Sequence, residues 1–201
     1  MKDNEIKNLL CPNIVEERPM NVTVVDVYSR LMMDRIIFLS GDVQGDRMDT
    51  IVAQMLFLDS LNHNPIHLFI NSGGGECYSG LELVSVMRYI NSPVHTTVLG
   101  IAASMAAVIA SGGEKGHRKA FPYSRFMIHQ PSSGMGYSTF RDQQIHLQEM
   151  ESLKHDLYDV LAQNSGQPVE EIERLCERDK WMKPEEAIKL GFLDGIVSSE
   201  Q

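Results

Sequence analysis

The stretch GIAASMAA (100–107) sets one hydroxyl, Ser104, among small apolar side chains. A core gains nothing from that hydroxyl, and a surface would not ring it with Ile101, Ala102, Ala103, Ala106 and Ala107. Ser104 follows a strand-like run and opens a helical pattern, so it and the next N–H stand at the positive end of a helix dipole. Two chemistries fit that position. One is a helix cap; the other is a nucleophile whose tetrahedral oxyanion the N–H groups would stabilise. The spacing is not Gly-x-Ser-x-Gly, because the nearest preceding glycine is Gly100, four residues ahead.

His129 ends the run RFMIH (125–129), just before Gln130 and Pro131. An imidazole at the carboxyl end of a strand suits a general base; the plainer alternative is a structural histidine. A base of this kind needs a third group to orient it. Asp142, Asp156, Asp159, Asp179 and Asp194 lie downstream, and spacing alone does not choose among them.

Gly73, Gly74 and Gly75 let backbone N–H groups approach a ligand with no Cβ in the way. A phosphate loop is the rival reading. Gly75 and Gly80 have the right gap, but Leu81 stands where the lysine belongs, and Glu76 and Glu82 would repel phosphate. The dinucleotide pattern fails at Tyr78. A glycine edge for a peptide backbone or an oxyanion fits better, with a plain tight turn as its alternative. His63 and His67 are four apart, but Pro65 breaks the helix that would align them, so no metal site is expected. The basic run 115–119 reads as a solvated turn.

These residues must be held by an ordered scaffold. VTVVDV (22–27), RIIFLSG (35–41), IHLFINS (66–72), HTTVLG (95–100) and RFMIH (125–129) read as strands. Helical spacing occupies 48–61, 78–90, 139–163 and 168–177. The alternation implies α/β architecture, repeated βαβ units with a mainly parallel sheet. Sites in such folds lie at the carboxyl ends of strands, where 72–75 and 100–104 fall. Along 139–163, Met150, Leu153, Leu157, Val160 and Leu161 form one apolar stripe that reads as core packing. A helix of that length also has the reach to meet a partner subunit.

Composition narrows the class. With 201 residues the chain can bury a core without staples. Its net charge of -9 argues against nucleic acid or an anionic membrane as a general partner. Cys11, Cys77 and Cys176 are odd in number and widely spaced, which suggests neither disulfides nor zinc and fits a reducing, cytoplasmic compartment. The first twenty residues lack the apolar stretch of a secretory signal and read as a flexible or processed tail. No run approaches the roughly 18 apolar residues of a membrane span.

Read together, YSRLMMDRIIFLSGDV (28–43), IVAQMLFLDS (51–60), INSGGG (70–75), GIAASMAA (100–107), SRFMIHQP (124–131), ERDKWMKPEEA (177–187) and GFLDGIV (191–197) resemble the ClpP family, the proteolytic subunits of the Clp protease. The likeness runs in order from about residue 25 to 197. It implies a ClpP/crotonase-like fold in which one peptidase domain spans 25–201. Residues 130–163 would form a strand and long-helix handle between rings, and 1–24 a flexible or processed axial gate. It implies a serine endopeptidase with Ser104 as nucleophile, His129 as base and Asp179 as orienting acid. The N–H groups of Gly75 and Met105 would make the oxyanion hole, and Gly73 and Gly74 would bind substrate.

The partners it implies are unfolded polypeptides, copies of the chain stacked as two heptameric rings, and a separate AAA+ unfoldase. ATP would belong to that unfoldase, since this chain has no Walker motif, and no cofactor is expected here. The sequence departs from the family's usual pattern at Gly73, where proline is common, at Ile101, at Ala106, and at His67, where a tyrosine of the unfoldase-docking pocket often stands. Two other readings are a weakly active or structural ring paralogue, and a crotonase-type enzyme acting on acyl-CoA.

Overall fold

A computed structural model describes residues 13–18, 21–134 and 136–198. Asn13–Arg18 (β1) and Asn21–Asp26 (β2) pair antiparallel. The expected 1–24 segment thus holds one strand and part of another, and its residues 1–12, 19 and 20 lie outside the described ones. Val27, expected to end a strand, instead starts a helix, α1 (Val27–Met33). The cause is Asp26, whose carboxylate accepts from the N–H groups of Tyr28 and Ser29 at 3.0 Å each and so caps the helix.

The chain continues through β3 (Ile36–Ser40), α2 (Gly45–Leu61), β4 (Ile66–Ser72), α3 (Cys77–Tyr89), β5 (Val94–Ala103) and α4 (Met105–Ser111). It then forms β6 (Arg118–Ala120), β7 (Arg125–Ile128), α5 (Phe140–Ser165), α6 (Val169–Cys176), β8 (Lys180–Met182), α7 (Pro184–Lys189) and β9 (Gly195–Ile196). Strands β3, β4, β5, β6 and β9 lie side by side in that order, all parallel. The architecture is the α/β, mainly parallel one that the alternation of apolar runs implies.

One irregularity positions everything that follows. Ile70 pairs with Val98, but Ser72 pairs with Ala102, so β5 carries extra residues against β4. Such a bulge bends the strand. The lower part of β5 (96–98) pairs with β6 and its upper part (101–103) with β7, which has β8 antiparallel on its other side. The expectation that β5 ends at Gly100 falls short by three residues for this reason.

The core lies between sheet and helices. Leu68 and Ile70 of β4, Met48, Ile51 and Met55 of α2, and Leu83 and Val84 of α3 are buried together. Every residue of α4 is buried, which explains its small side chains: it is enclosed on all sides. On α5, Leu153, Leu157 and Leu161 of the expected stripe are buried, while Met150 and Val160 are only partly covered. The outer part of α5 leaves Phe140, Ile145 and Leu147 exposed.

Polar networks close the ends of the elements. Asp59 on α2 accepts from the Ser92 N–H and hydroxyl at 2.8 Å each and contacts His63 at 3.1 Å. Partial burial pushes the Asp59 carboxyl up, but the bonds from Ser92, then His63 and Asn91, outweigh it and bring it down to about 2. Since an unfolded Asp titrates near ~3.9, this stability is present above pH ~4 and lost as pH falls towards ~2. Urea unfolding between pH 5 and pH 2 is expected to show a steeper acid loss for the wild type than for Asp59→Asn.

Arg118 corrects the reading of 115–119 as a solvated turn. Its side chain is 3% exposed and forms an ion pair with Asp194, Nη2 to Oδ1 at 2.6 Å and Nε to Oδ2 at 2.8 Å. A buried guanidinium needs such a partner, and the carboxylate comes from the far end of the chain.

Candidate active site

Ser104 lies between β5 and α4 with φ 55° and ψ −128°, a left-handed conformation rare for a residue with a side chain. Backbone bonds hold it there. Its N–H donates to Met127 O at 2.9 Å, and its carbonyl accepts from Ala107 N at 2.9 Å. The side chain makes no cap bond; instead Oγ stands 2.9 Å from His129 Nε2. The strained turn turns the hydroxyl away from the helix it precedes and towards the imidazole.

The room for that turn comes from a neighbouring loop. Gly74 has φ +95°, and a Cβ on it would lie 2.6 Å from both Ala103 O and Ser104 Cβ. This accounts for the absence of Gly-x-Ser-x-Gly: the glycine that clears the serine is on the β4–α3 connection. Gly74 N donates to Ser72 Oγ at 3.1 Å, which fixes the approach.

His129 follows β7, one residue beyond Ile128, which pairs with Lys180 at the start of β8. That antiparallel register brings Asp179 opposite His129, with Oδ1 3.2 Å from Nδ1. Of the five candidate aspartates, Asp194 is taken by Arg118, and Asp142 sits at the start of α5 bonded to Thr139. Asp156 and Asp159 are exposed along α5. A carboxylate at Nδ1 favours a proton on that nitrogen, leaving the Nε2 lone pair for the Ser104 O–H. The Asp179 side chain is 61% exposed, so water screens its charge and orientation is its main effect.

Gln130, just past the histidine, is tied to the end of α6. Its N–H donates to Cys176 O at 2.8 Å and its side-chain Nε2 to Glu177 O at 3.1 Å. These bonds fix the segment that leads into Asp179. Sequence reasoning gave Gln130 no role; its place directly after the histidine was the only signal.

Gly75 sits against Val43, with Val43 N donating to Gly74 O and Glu76 N to Val43 O, both at 2.9 Å. With φ +152° and a Cβ position only 2.2 Å from Val43 O, no other residue fits there. The Gly75 N–H donates to no described residue, and neither does that of Met105, the first in α4. Gly73 has open space around its Cβ position, so it meets no steric demand for glycine.

Beside Ser104 and His129 is a cavity of about 20 Å³, walled by Cys77, Met105, Val108, Ile128, Leu157 and Tyr158. Sequence reasoning missed Cys77 and Tyr158. Burial pushes the Cys77 thiol up, so it stays neutral and acts as a small apolar wall. A larger cavity of about 490 Å³ lies between α1, β3 and α2, and no histidine lines it.

His63 and His67 do not converge. His63 contacts Asp59, while the His67 ring meets His95 edge-on at 5.2 Å. Among the described residues no group of three or more His, Cys, Asp or Glu is placed to hold a metal ion. No described helix is long and apolar enough to cross a membrane.

The chain is similar to known proteins over nearly its whole length. The family model described as Clp protease matches residues 19–200. A protein of Streptococcus salivarius named ATP-dependent Clp protease proteolytic subunit is 41% identical over 194 residues, 96% of this chain and 99% of its own length. Proteins of the same name from Porphyromonas gingivalis and Bacteroides fragilis are 42% and 43% identical, covering 96% and 94% of this chain and 86% and 91% of their own.

Proposed function

The chain belongs to the Clp protease family and is a serine-type peptidase, and on that premise we propose that Ser104, His129 and Asp179 are its nucleophile, base and orienting acid. The observation that carries this is the 2.9 Å approach of Ser104 Oγ to His129 Nε2 from a strained turn that caps nothing. Strain of ~1–3 kcal/mol persists where surrounding structure over-determines it, and it collects at functional sites.

The reaction is acyl transfer to water. His129 Nε2 takes the Ser104 proton as Oγ attacks the peptide carbonyl carbon. The oxyanion is received by the unengaged N–H groups of Gly75 and Met105. The C–N bond then breaks, and His129 returns its proton to the leaving amine. Water, activated by the same imidazole, hydrolyses the acyl-enzyme and frees Ser104. Asp179 keeps Nδ1 protonated and the ring oriented throughout. The backbone at Gly73 and Gly74 binds the extended substrate, which suits polypeptides of varied sequence.

A peptidase of low selectivity requires enclosure. The relatives' shared name, ATP-dependent Clp protease proteolytic subunit, supports a partner that spends ATP. The proposed arrangement is two stacked heptameric rings of this chain, fed unfolded polypeptide by an AAA+ unfoldase in the cytoplasm. Residues 25–201 act as one domain, with 130–163 as the handle between rings. The exposed Phe140, Ile145 and Leu147 of α5 favour such a contact. The chain itself works without a cofactor.

A fluorophosphonate probe tests the site, because it reacts only with an activated serine. Labelling confined to Ser104 by mass spectrometry is the expected result, and an unlabelled native chain refutes the assignment. A second outcome concerns Gln130. Gln130→Ala removes one bond from the segment leading to Asp179 and is expected to lower kcat about tenfold, the worth of roughly one such bond, with KM little changed. In an Asp179→Asn background the same change should have no further effect.

A further inference from the structure

We infer that the sheet face around His67, His95 and His117 docks an acidic peptide segment of another protein and recognises it through its carboxylates; this stands apart from the roles given to Ser104, His129 and Asp179. Strand β4 alternates strictly, with Ile66, Leu68 and Ile70 buried in the core and His67 exposed on the opposite side. His67 pairs with His95 on β5, and His117 comes one residue before Arg118, which pairs with Thr96. Three imidazoles thus line one rung across neighbouring strands. The His67 ring meets His95 edge-on at 5.2 Å, and the His95 and His117 rings stack at 3.9 Å with planes 3° apart. The departure from the family's tyrosine at His67 supplies the first ring of the row.

Two features point to a carboxylate. None of the three rings hydrogen-bonds a described residue. A partner that covers them must bring acceptors, since a purely apolar one would strand their N–H groups. The charged groups that act on them are also all positive: Arg35 and His117 on His67, and His117, His67 and Lys119 on His95. Lys119 lies two residues beyond His117, opposite Thr97, and forms no ion pair with a described residue. Arg35 bonds to the carbonyls of Leu58, Asn64 and Pro65 and to Ser92 Oγ, not to a carboxylate. Such a local concentration attracts an acidic group, while the chain's net charge of -9 disfavours a polyanion such as nucleic acid. Beside the row, Phe38 and Phe69 stack at 5.5 Å and are half-buried, which gives an apolar side chain next to the acid a place to rest.

Docking of this kind takes up a proton. Burial first, then His117, His67 and Lys119, brings the His95 imidazole down to about 4, and burial, Arg35 and His117 lower His67. Both rings are therefore neutral near pH 7 in the free protein. A carboxylate beside them favours the imidazolium and raises these values. Affinity for an acidic segment then increases as pH falls from 8 towards 5.5, by up to about tenfold per pH unit for each proton taken up.

The test uses the full chain carrying Ser104→Ala, so that a peptide probe stays uncut, and two rhodamine-labelled peptides that alternate leucine with glutamate or with glutamine. At pH 6 the glutamate peptide is expected to bind about tenfold tighter by fluorescence anisotropy, the worth of one hydrogen bond to a charged group. The preference should shrink to about threefold or less at pH 8. His95→Gln keeps a hydrogen-bonding side chain that cannot charge, and it should flatten this pH dependence.

Calorimetry at pH 6 in buffers of different ionisation heat counts the protons taken up by the unaltered histidine row, and decides even where His95→Gln fails to fold. Equal binding of the two peptides, no proton uptake, or an unchanged profile in folded His95→Gln overturns the inference. A changed assembly mass in His95→Gln also overturns it, by making the face a contact between copies, and so does equally tight binding of duplex DNA. None of these readouts uses turnover, so their failure leaves the peptidase assignment to its own test.

Discussion

Replacing Ser104 with alanine is expected to lower kcat/KM towards a fluorogenic peptide by roughly 10⁴–10⁶-fold, the range seen when a triad nucleophile is removed. The fold should survive. Ser104 Oγ caps no helix, and its one side-chain partner is His129. Its backbone bonds to Met127 and from Ala107 do not involve the hydroxyl. Alanine keeps the Cβ that already packs against Gly74, so steric demand at the turn is unchanged. Thermal unfolding should therefore match the wild type while turnover vanishes. Adding His129→Ala should cost little more, because nucleophile and base act as one unit. Wild-type turnover by Ser104→Ala would remove this residue from the reaction.

Arg118→Ala is expected to destabilise the chain by about 3–5 kcal/mol, the penalty for breaking a buried ion pair from one side. Beyond its two bonds to Asp194, Arg118 donates through Nη1 to Ser111 O at 3.2 Å and Asn164 O at 2.7 Å. Those carbonyls belong to the last turns of α4 and α5, where helices lack internal donors. Alanine strips both helix ends and leaves Asp194 with only the N–H groups of Gly116 and of residue 118. Arg118→Lys keeps the charge but loses the planar fork, so an intermediate loss is expected.

Denaturant midpoints at unchanged slope report the difference. A loss below ~1 kcal/mol, the worth of an exposed pair, would show that the network is not buried in solution. Partial burial raises the Asp194 carboxyl, but the bonds from Arg118 outweigh this and hold it below its usual value. Its contribution is thus present near neutrality and fades on acidification, more steeply in the wild type than in Arg118→Ala.

The sequence reveals most where structure is local. The βαβ alternation follows from short apolar runs and helical spacing, each readable in a window of a dozen residues. Ser104 and His129 stand out because both sit at strand ends. Asp179 does not: it meets His129 only through the antiparallel pairing of β7 with β8, which no periodicity announces. The family resemblance supplied it. Arg118 reads as surface because its neighbours are charged; the carboxylate that buries it is 76 residues away. Tyr158 hides between Leu157 and Asp159, next to a stripe that looks like ordinary core. Val27 was misassigned because a single cap, Asp26, outweighed a β-branched run.

Ser104 comes directly after the last rung of the β5–β7 ladder, Ala103 opposite Met127, and His129 two residues beyond it. Both residues are thus anchored at the end of the sheet, with the Gly74 loop giving the Ser104 turn its room. Asp179 hangs instead from a three-residue strand at the sheet's margin. On the proposed roles, loss of that strand would take Asp179 away while leaving Ser104 and His129 within reach of each other.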